Sequence, residues 1–337
     1  MNAIFLRGAV PPAHEHPEKL LYEGIENCED MWTQLFYYFL KETCSNGELL
    51  YECKTNGEHA YMLHERGMFM FYDKWVPSFR KYQPSFKPDV IICRGGFPYF
   101  DDFTTRFPDA KKVYYGAGRR YWPQTGFTDY DLFLVDDPRQ LEEIKAKGKN
   151  VQMLLKPAAT MFRPHDVEKE YDVCFMANAA QRSIKRHDLF IWSVANSDLK
   201  VLSLGGTSPE LIKMAEDLGV DITWGGWHLR KFLPEMISKC RVGVCASGSD
   251  IDSCPRVIPE YLACGLPVVS TDVKFWKLKY LQTQTGFITD DRALRSSIEL
   301  AVNQQKAGFY DKVREYYDEN LSMGVAANRL KEQVESL

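Results

Sequence analysis

Two carboxylates with seven residues between them, Asp252 and Glu260, lie in the run SGSDIDSCPRVIPEYLACGLPVVSTD, Ser247 to Asp272. Glu260 follows Pro259 where the pattern opens a short helix. A helix start presents unpaired amide donors and positive partial charge, a setting suited to a diphosphate. A carboxylate there can also accept from paired sugar hydroxyls. An acid in a first turn complements the helix dipole without any ligand, for about 0.3–1 kcal/mol, so this feature alone has a purely structural explanation. Gly265 then closes the helix and Pro267 opens a buried strand.

Taken in order, D-SCPRVIP-E-Y-L-A-C-G-L-P-V-V resembles the motif of the large retaining glycosyltransferase group that includes sucrose synthase-like and glycogen synthase-like enzymes (group 1, family 4-like). That motif is Glu, seven residues, Glu, then Ala-x-x-x-Gly-x-Pro-Val-Val. The resemblance implies that Glu260 binds the ribose hydroxyls of a nucleotide and that Asp252 binds the hydroxyls of the transferred sugar. Asp252 stands where the group carries Glu, one methylene shorter.

The same resemblance extends to CFMANAAQRSIKRHDLFIW. A basic pair after this strand neutralises the donor diphosphate in the group. Lys185 falls on its lysine; the arginine position holds Ala180, and Arg182 is the nearest substitute. A solvated helix start made of Arg182, Lys185 and Arg186 is the alternative. Gly225-Gly226-Trp227 matches the group's loop near the nucleobase, where Trp227 either packs on the base or fills the core. Arg256 and Ser253, between the two acids, can meet phosphate.

On the N-terminal side the loop RGAVPPAHEHPEK follows the first strand, where the group places a loop at the donor diphosphate and acceptor. Gly8 is the donor-side candidate there. His14 is a candidate for proton handling and His16 for acceptor contact, both titrating near neutrality; surface loop histidines are the alternative. As a metal site the His14-x-His16 pair lacks a third ligand nearby, so no metal is expected. Arg94 and Arg119 follow strands and are acceptor-side candidates. Gly116-x-Gly118 lacks the third glycine of a dinucleotide fingerprint.

These residues need a scaffold, and the second half shows it most clearly. Short β-rich runs alternate with helix-length segments: strands at 173–176, 200–204, 242–245 and 267–271, helices at 185–194 and 229–237, and a further helix from Ser208-Pro209 to Gly219. Such a doubly wound domain binds ligands at the carboxyl ends of its strands. In the first half, Ala3–Leu6 reads as a strand and Met31–Leu40 as an aromatic-rich helix. Asn56-Gly57 and Arg66-Gly67 mark turns that predict an antiparallel meander, after which the α/β pattern resumes. The expectation is an α/β protein of two Rossmann-like domains facing across a cleft, the B-type glycosyltransferase fold. Residues 1–160 form the acceptor side and 161–305 the nucleotide-sugar domain, with helices in 306–337 packing back on the first domain.

Composition is that of a globular protein, 45% hydrophobic and 26% charged, and 337 residues suffice for two cores. The net charge of −4 provides no global attraction for polyanions. No run of 18 apolar residues is present, and the opening MNAIFLRGAVPPAHEH lacks signal-peptide features. Nine cysteines without a C-x-x-C pair read as reduced thiols, hence a cytoplasmic enzyme (host cytoplasm if viral).

The function expected is retaining transfer of a hexose from a UDP-sugar or other nucleoside-diphosphate sugar, by front-face attack and without a further cofactor. The acceptor is a glycan, a lipid or a hydroxylated DNA base. The DNA option draws on DKWVPSFRKYQPSFK and KFWKLKY, where aromatic and basic residues interleave, and on a likeness in size and layout to viral DNA-modifying transferases. A sugar-nucleotide epimerase and a noncatalytic nucleotide-sugar-binding module are the alternatives from other classes.

Overall fold

The structure is a computed structural model and describes residues 1–7, 30–52, 60–64, 67–72, 83–95, 98–116, 130–248, 252, 255–271 and 281–337. The chain divides into two units, Met1–Leu155 with Met323–Leu337, and Lys156–Ser322.

In the first unit the apolar run after Met1 forms β1 (Asn2–Arg7). Helix α1 (Met31–Thr43) starts at Asp30, whose carboxylate accepts from Thr33 N at 3.0 Å and Thr33 Oγ1 at 2.8 Å. Its aromatic stripe covers β1, with Phe36 stacked on Phe5 at 4.9 Å. There follow β2 (Asn46–Glu52), β3 (Ala60–His64), β4 (Gly67–Tyr72), β5 (Val90–Arg94), α2 (Pro98–Thr104), β6 (Lys111–Tyr115), β7 (Leu132–Val135), α3 (Pro138–Lys145) and β8 (Val151–Met153). The strands make one sheet in the order β3-β4-β2-β1-β5-β6-β7-β8.

The expected meander reduces to one antiparallel pair. β3 pairs antiparallel with β4, but β4 returns parallel to β2, with Leu50 opposite Met70. The sequence of β4, GMFMFY, is apolar at successive positions, the pattern of a parallel strand covered on both faces. A meander with one wet face would alternate. The Asn56-Gly57 turn signal lies outside the described residues.

The second unit runs β9 (Tyr171–Met176), a 3-10 turn (Ala179–Gln181), α4 (Arg182–Lys185), α5 (His187–Val194), β10 (Val201–Leu204), α6 (Pro209–Asp217), β11 (Ile222–Gly226), a 3-10 turn (Arg230–Phe232), α7 (Leu233–Ser238), β12 (Cys240–Cys245), α8 (Val257–Ala263), β13 (Val268–Thr271), β14 (Gly286–Thr289), α9 (Leu294–Lys306) and α10 (Val313–Asn320). The sheet is parallel, in the order β11-β10-β9-β12-β13-β14. Its order reverses between β9 and β12, the point where an open α/β sheet leaves a crevice at its carboxyl ends. Phe175 stacks on Phe190 at 4.0 Å beneath it.

Gly219 and Gly265 end α6 and α8 with positive φ of 62° and 77°. Leu266 N donates to Tyr261 O at 3.0 Å and Gly265 N to Leu262 O at 2.9 Å, satisfying the last carbonyls of α8. The last helix, α11 (Met323–Glu335), packs on α1 in the first unit through Met323, Ala327 and Leu330. Helix α10 belongs to the second unit, where Tyr317 Oη accepts from Ala158 N at 3.0 Å. Residues 306–322 therefore do not share the return path expected for the whole of 306–337.

No helix among the described residues is long and apolar enough to cross a membrane. Cys44, Cys93, Cys174, Cys240, Cys245 and Cys264 are free and buried. Burial pushes the Cys44 thiol up to about 12, where it is unreactive at neutral pH.

Candidate active site

The loops at the carboxyl ends of β9, β10, β11 and β12 bring together residues far apart in sequence. After β9, Asn178 caps the 3-10 turn, its Oδ1 accepting from Ala180 N at 2.9 Å. The chain then enters α4, which ends after one turn because Arg186 takes the left-handed conformation (φ 57°, ψ 49°). Such a backbone costs about 1–2 kcal/mol in a residue bearing Cβ. A single helix over 185–194 is thus split, and the break sends Lys185 and Arg186 in different directions. Arg186 pairs with Asp291 and lies against Gly248. Lys185 Nζ donates to Asp252 Oδ2 at 2.7 Å, both side chains largely buried. This pair spans the β9/β12 switch point.

Glu260 enters from α8 and is 3% exposed. Its Oε1 accepts from Arg230, whose guanidinium sits 5.2 Å from the centroid of the Phe162 ring. Arg230 has no sequence signal; it is brought there by the turn after β11, where His228 Nε2 meets Gly225 O at 2.6 Å. Arg256 stands at the start of α8 with the charges of Arg230, Glu260 and Asp252 close enough to act on it. Under α8, Tyr261 Oη accepts from Met176 N at 2.7 Å and its ring lies on Gly243, tying the end of β9 to the helix that carries Glu260.

Arg182 turns away from this cluster. It pairs with Asp188 at 2.6 Å on the same segment, half-exposed. Gly225 and Gly226 are the last residues of β11 rather than a loop after it, since Gly205 N donates to Gly226 O at 2.8 Å. Gly205 itself has φ 111°, and a Cβ there would meet the Ala177 carbonyl. Trp227 is 71% exposed, so it is not a core residue, and its indole edge lies over Gly206.

In the first unit the strand order reverses between β1 and β5, and there Arg7 and Arg94 are register partners. Arg7 pairs with Asp30, and Arg94 lies 4.1 Å from the Trp32 ring centroid and 5.7 Å from that of Tyr115. Arg7 and Trp32 were not among the residues singled out by sequence. Gly8, His14, His16, Arg119 and Ser253 lie outside the described residues.

Both units thus carry the Rossmann-like strand order. The sucrose-phosphate synthase of Thermosynechococcus elongatus superposes with a TM-score of 0.72 at 12% identity, covering 100% of this chain and 99% of that one. The lipopolysaccharide outer core galactosyltransferase WaaB gives 0.65 at 14% identity over 100% and 99%. Anabaena HepE, solved in complex with UDP, gives 0.66 at 13% identity over the whole of both chains. No curated protein matches by sequence. The fold is the two-domain α/β fold of GT-B glycosyltransferases. Residues 170–304, within the second unit, match the family model described as glycosyl transferases group 1.

Proposed function

We propose that this enzyme moves a hexosyl group from a nucleoside-diphosphate sugar, UDP-linked in the first instance, to a hydroxyl of a glycan or lipid, with retention of anomeric configuration. The observation that carries this is the Lys185–Asp252 pair at the carboxyl ends of β9 and β12, with Glu260 on the helix that follows the same loop. Glu260 accepts from the ribose hydroxyls, Asp252 from the sugar, and Lys185 faces the diphosphate as negative charge grows on it. A fixed donor aimed at such a leaving group is commonly the largest catalytic contribution. Trp227 covers the base and Arg256 meets phosphate. Arg182, held by Asp188, contributes only if it exchanges that partner.

The UDP in HepE and the lipopolysaccharide named for WaaB make a UDP-sugar and a saccharide or lipid hydroxyl the chemistry to test first. No observation favours the DNA acceptor. Of DKWVPSFRKYQPSFK, Phe86 packs against the first unit's core and Lys87 pairs with Asp109 at 2.8 Å; residues 73–82 and the whole of KFWKLKY lie outside the described residues.

The test is mass spectrometry of products from a panel of nucleotide sugars mixed with simple glycosides and lipid extracts, using wild type, Glu260→Ala and Lys185→Ala. Transfer by wild type and its loss in both folded variants are expected. Wild-type rates in both variants overturn the assignment. Conversion of donor without acceptor identifies an epimerase instead.

A further inference from the structure

The Arg230–Glu260 pair is the feature of the site that sequence did not reveal. Glu260 is buried, and a buried carboxylate without a cation beside it is costly. Arg230 supplies that cation, and its guanidinium lies 5.2 Å from the Phe162 ring centroid, within cation–π range. Arg230 takes Oε1 of Glu260, and Oε2 takes no hydrogen bond among the described residues. A carboxylate has lone pairs enough for the arginine and for two hydroxyls.

We propose that Arg230, lying over Phe162, is a positioning residue that fixes the Glu260 carboxylate so that its free oxygen selects ribonucleotide donors over 2'-deoxyribonucleotide donors. This rests on the reading of Glu260 as the ribose acceptor. Arg230 acts through Glu260 and does not touch the ligand. Its loss lets the carboxylate turn among rotamers, or seek water or Arg256, and the hydroxyls then meet no fixed acceptor. Lysine keeps the charge but not the planar stack or the forked donors, so it restores the function only in part.

The experiment is isothermal titration calorimetry of the full chain with UDP, GDP and ADP and the 2'-deoxy counterpart of whichever binds tightest. The proteins are wild type, Arg230→Met, Arg230→Lys and Glu260→Gln, each checked for its thermal midpoint. Wild type is expected to prefer the ribonucleotide by about 10-fold, the worth of one hydrogen bond to a charged group. In Arg230→Met the preference falls to about 2-fold, chiefly through weaker ribonucleotide binding, and Arg230→Lys lies between.

Equal weakening of both nucleotides in Arg230→Met would mean a direct phosphate contact and overturns the proposal, as does tighter binding or a preserved preference. If Arg230→Met does not fold, Arg230→Lys decides by the same ratio. Loss of the preference in Glu260→Gln but not in the Arg230 variants removes only the role of Arg230. A preference that survives Glu260→Gln, or is absent in wild type, removes the ribose assignment and this proposal with it, as does failure of all three nucleotides to bind.

Discussion

Lys185 Nζ and Asp252 Oδ2 meet at 2.7 Å across the point where the order of strands in the second sheet reverses. Lys185 arrives from the crossover after β9 and Asp252 from the loop after β12, so the pair forms only when both strands lie side by side. Without ligand the ammonium neutralises the carboxylate; in the function proposed above, diphosphate oxygens and sugar hydroxyls of a bound donor compete for the two partners.

On that proposal Lys185→Met removes the charge facing the leaving group while keeping the length of the side chain. We expect kcat to fall about 100- to 1,000-fold with an unchanged circular dichroism spectrum. Turnover within about threefold of wild type would place the leaving-group charge elsewhere.

Trp227 is exposed and contributes no core area. Trp227→Ala should leave stability within about 0.5 kcal/mol of wild type. Loss of stacking should weaken nucleotide binding about 3- to 10-fold. Calorimetric titration with UDP measures this, and an unchanged Kd would leave Trp227 without a role at the base.

Tyr261 Oη is the acceptor for Met176 N, and burial pushes the phenol well above its ordinary pKa, so it stays neutral. Tyr261→Phe strands a backbone donor at the part-buried end of β9, at a cost of about 1–3 kcal/mol. Urea unfolding should show the loss as a lower midpoint with an unchanged slope; an equal midpoint would mean that the strand end finds another acceptor.

His187 is buried with its ring edge-on to Phe175 at 5.3 Å, and this burial lowers its pKa. The unfolded chain then binds the proton more tightly than the folded one below about pH 6.5. The stability associated with the neutral ring is complete above that value and is lost as pH falls toward the folded pKa. Thermal midpoints measured from pH 7.5 to 5 should drop more steeply for wild type than for His187→Phe. Parallel curves would remove His187 as the cause.

Local rules account for much of what was legible in the sequence. The glycines after α6 and α8 end those helices because no other residue takes positive φ so cheaply, and such signals need only a few neighbouring residues. The alternation of β9 through β13 with helices follows from periodicity, and Glu260 from its place in a helix start. The split at Arg186 was not legible: the partners of its guanidinium, Gly248 and Asp291, lie 62 and 105 positions away. The partnering of β4 with β2 was likewise hidden, since hydrogen-bonding preference between strands is set by what covers them.

Sequence by itself determined the chemical types at the site, a lysine, two acids and a glycine-proline turn, along with the class of sheet that carries them. Tertiary structure alone decided who meets whom. Arg230 reaches Glu260 across 30 residues, Lys185 reaches Asp252 across 67, and Arg94 lies over the Trp32 ring. Pairing energies of this kind depend on distance and on exclusion of water, and neither quantity exists until the strands have assembled.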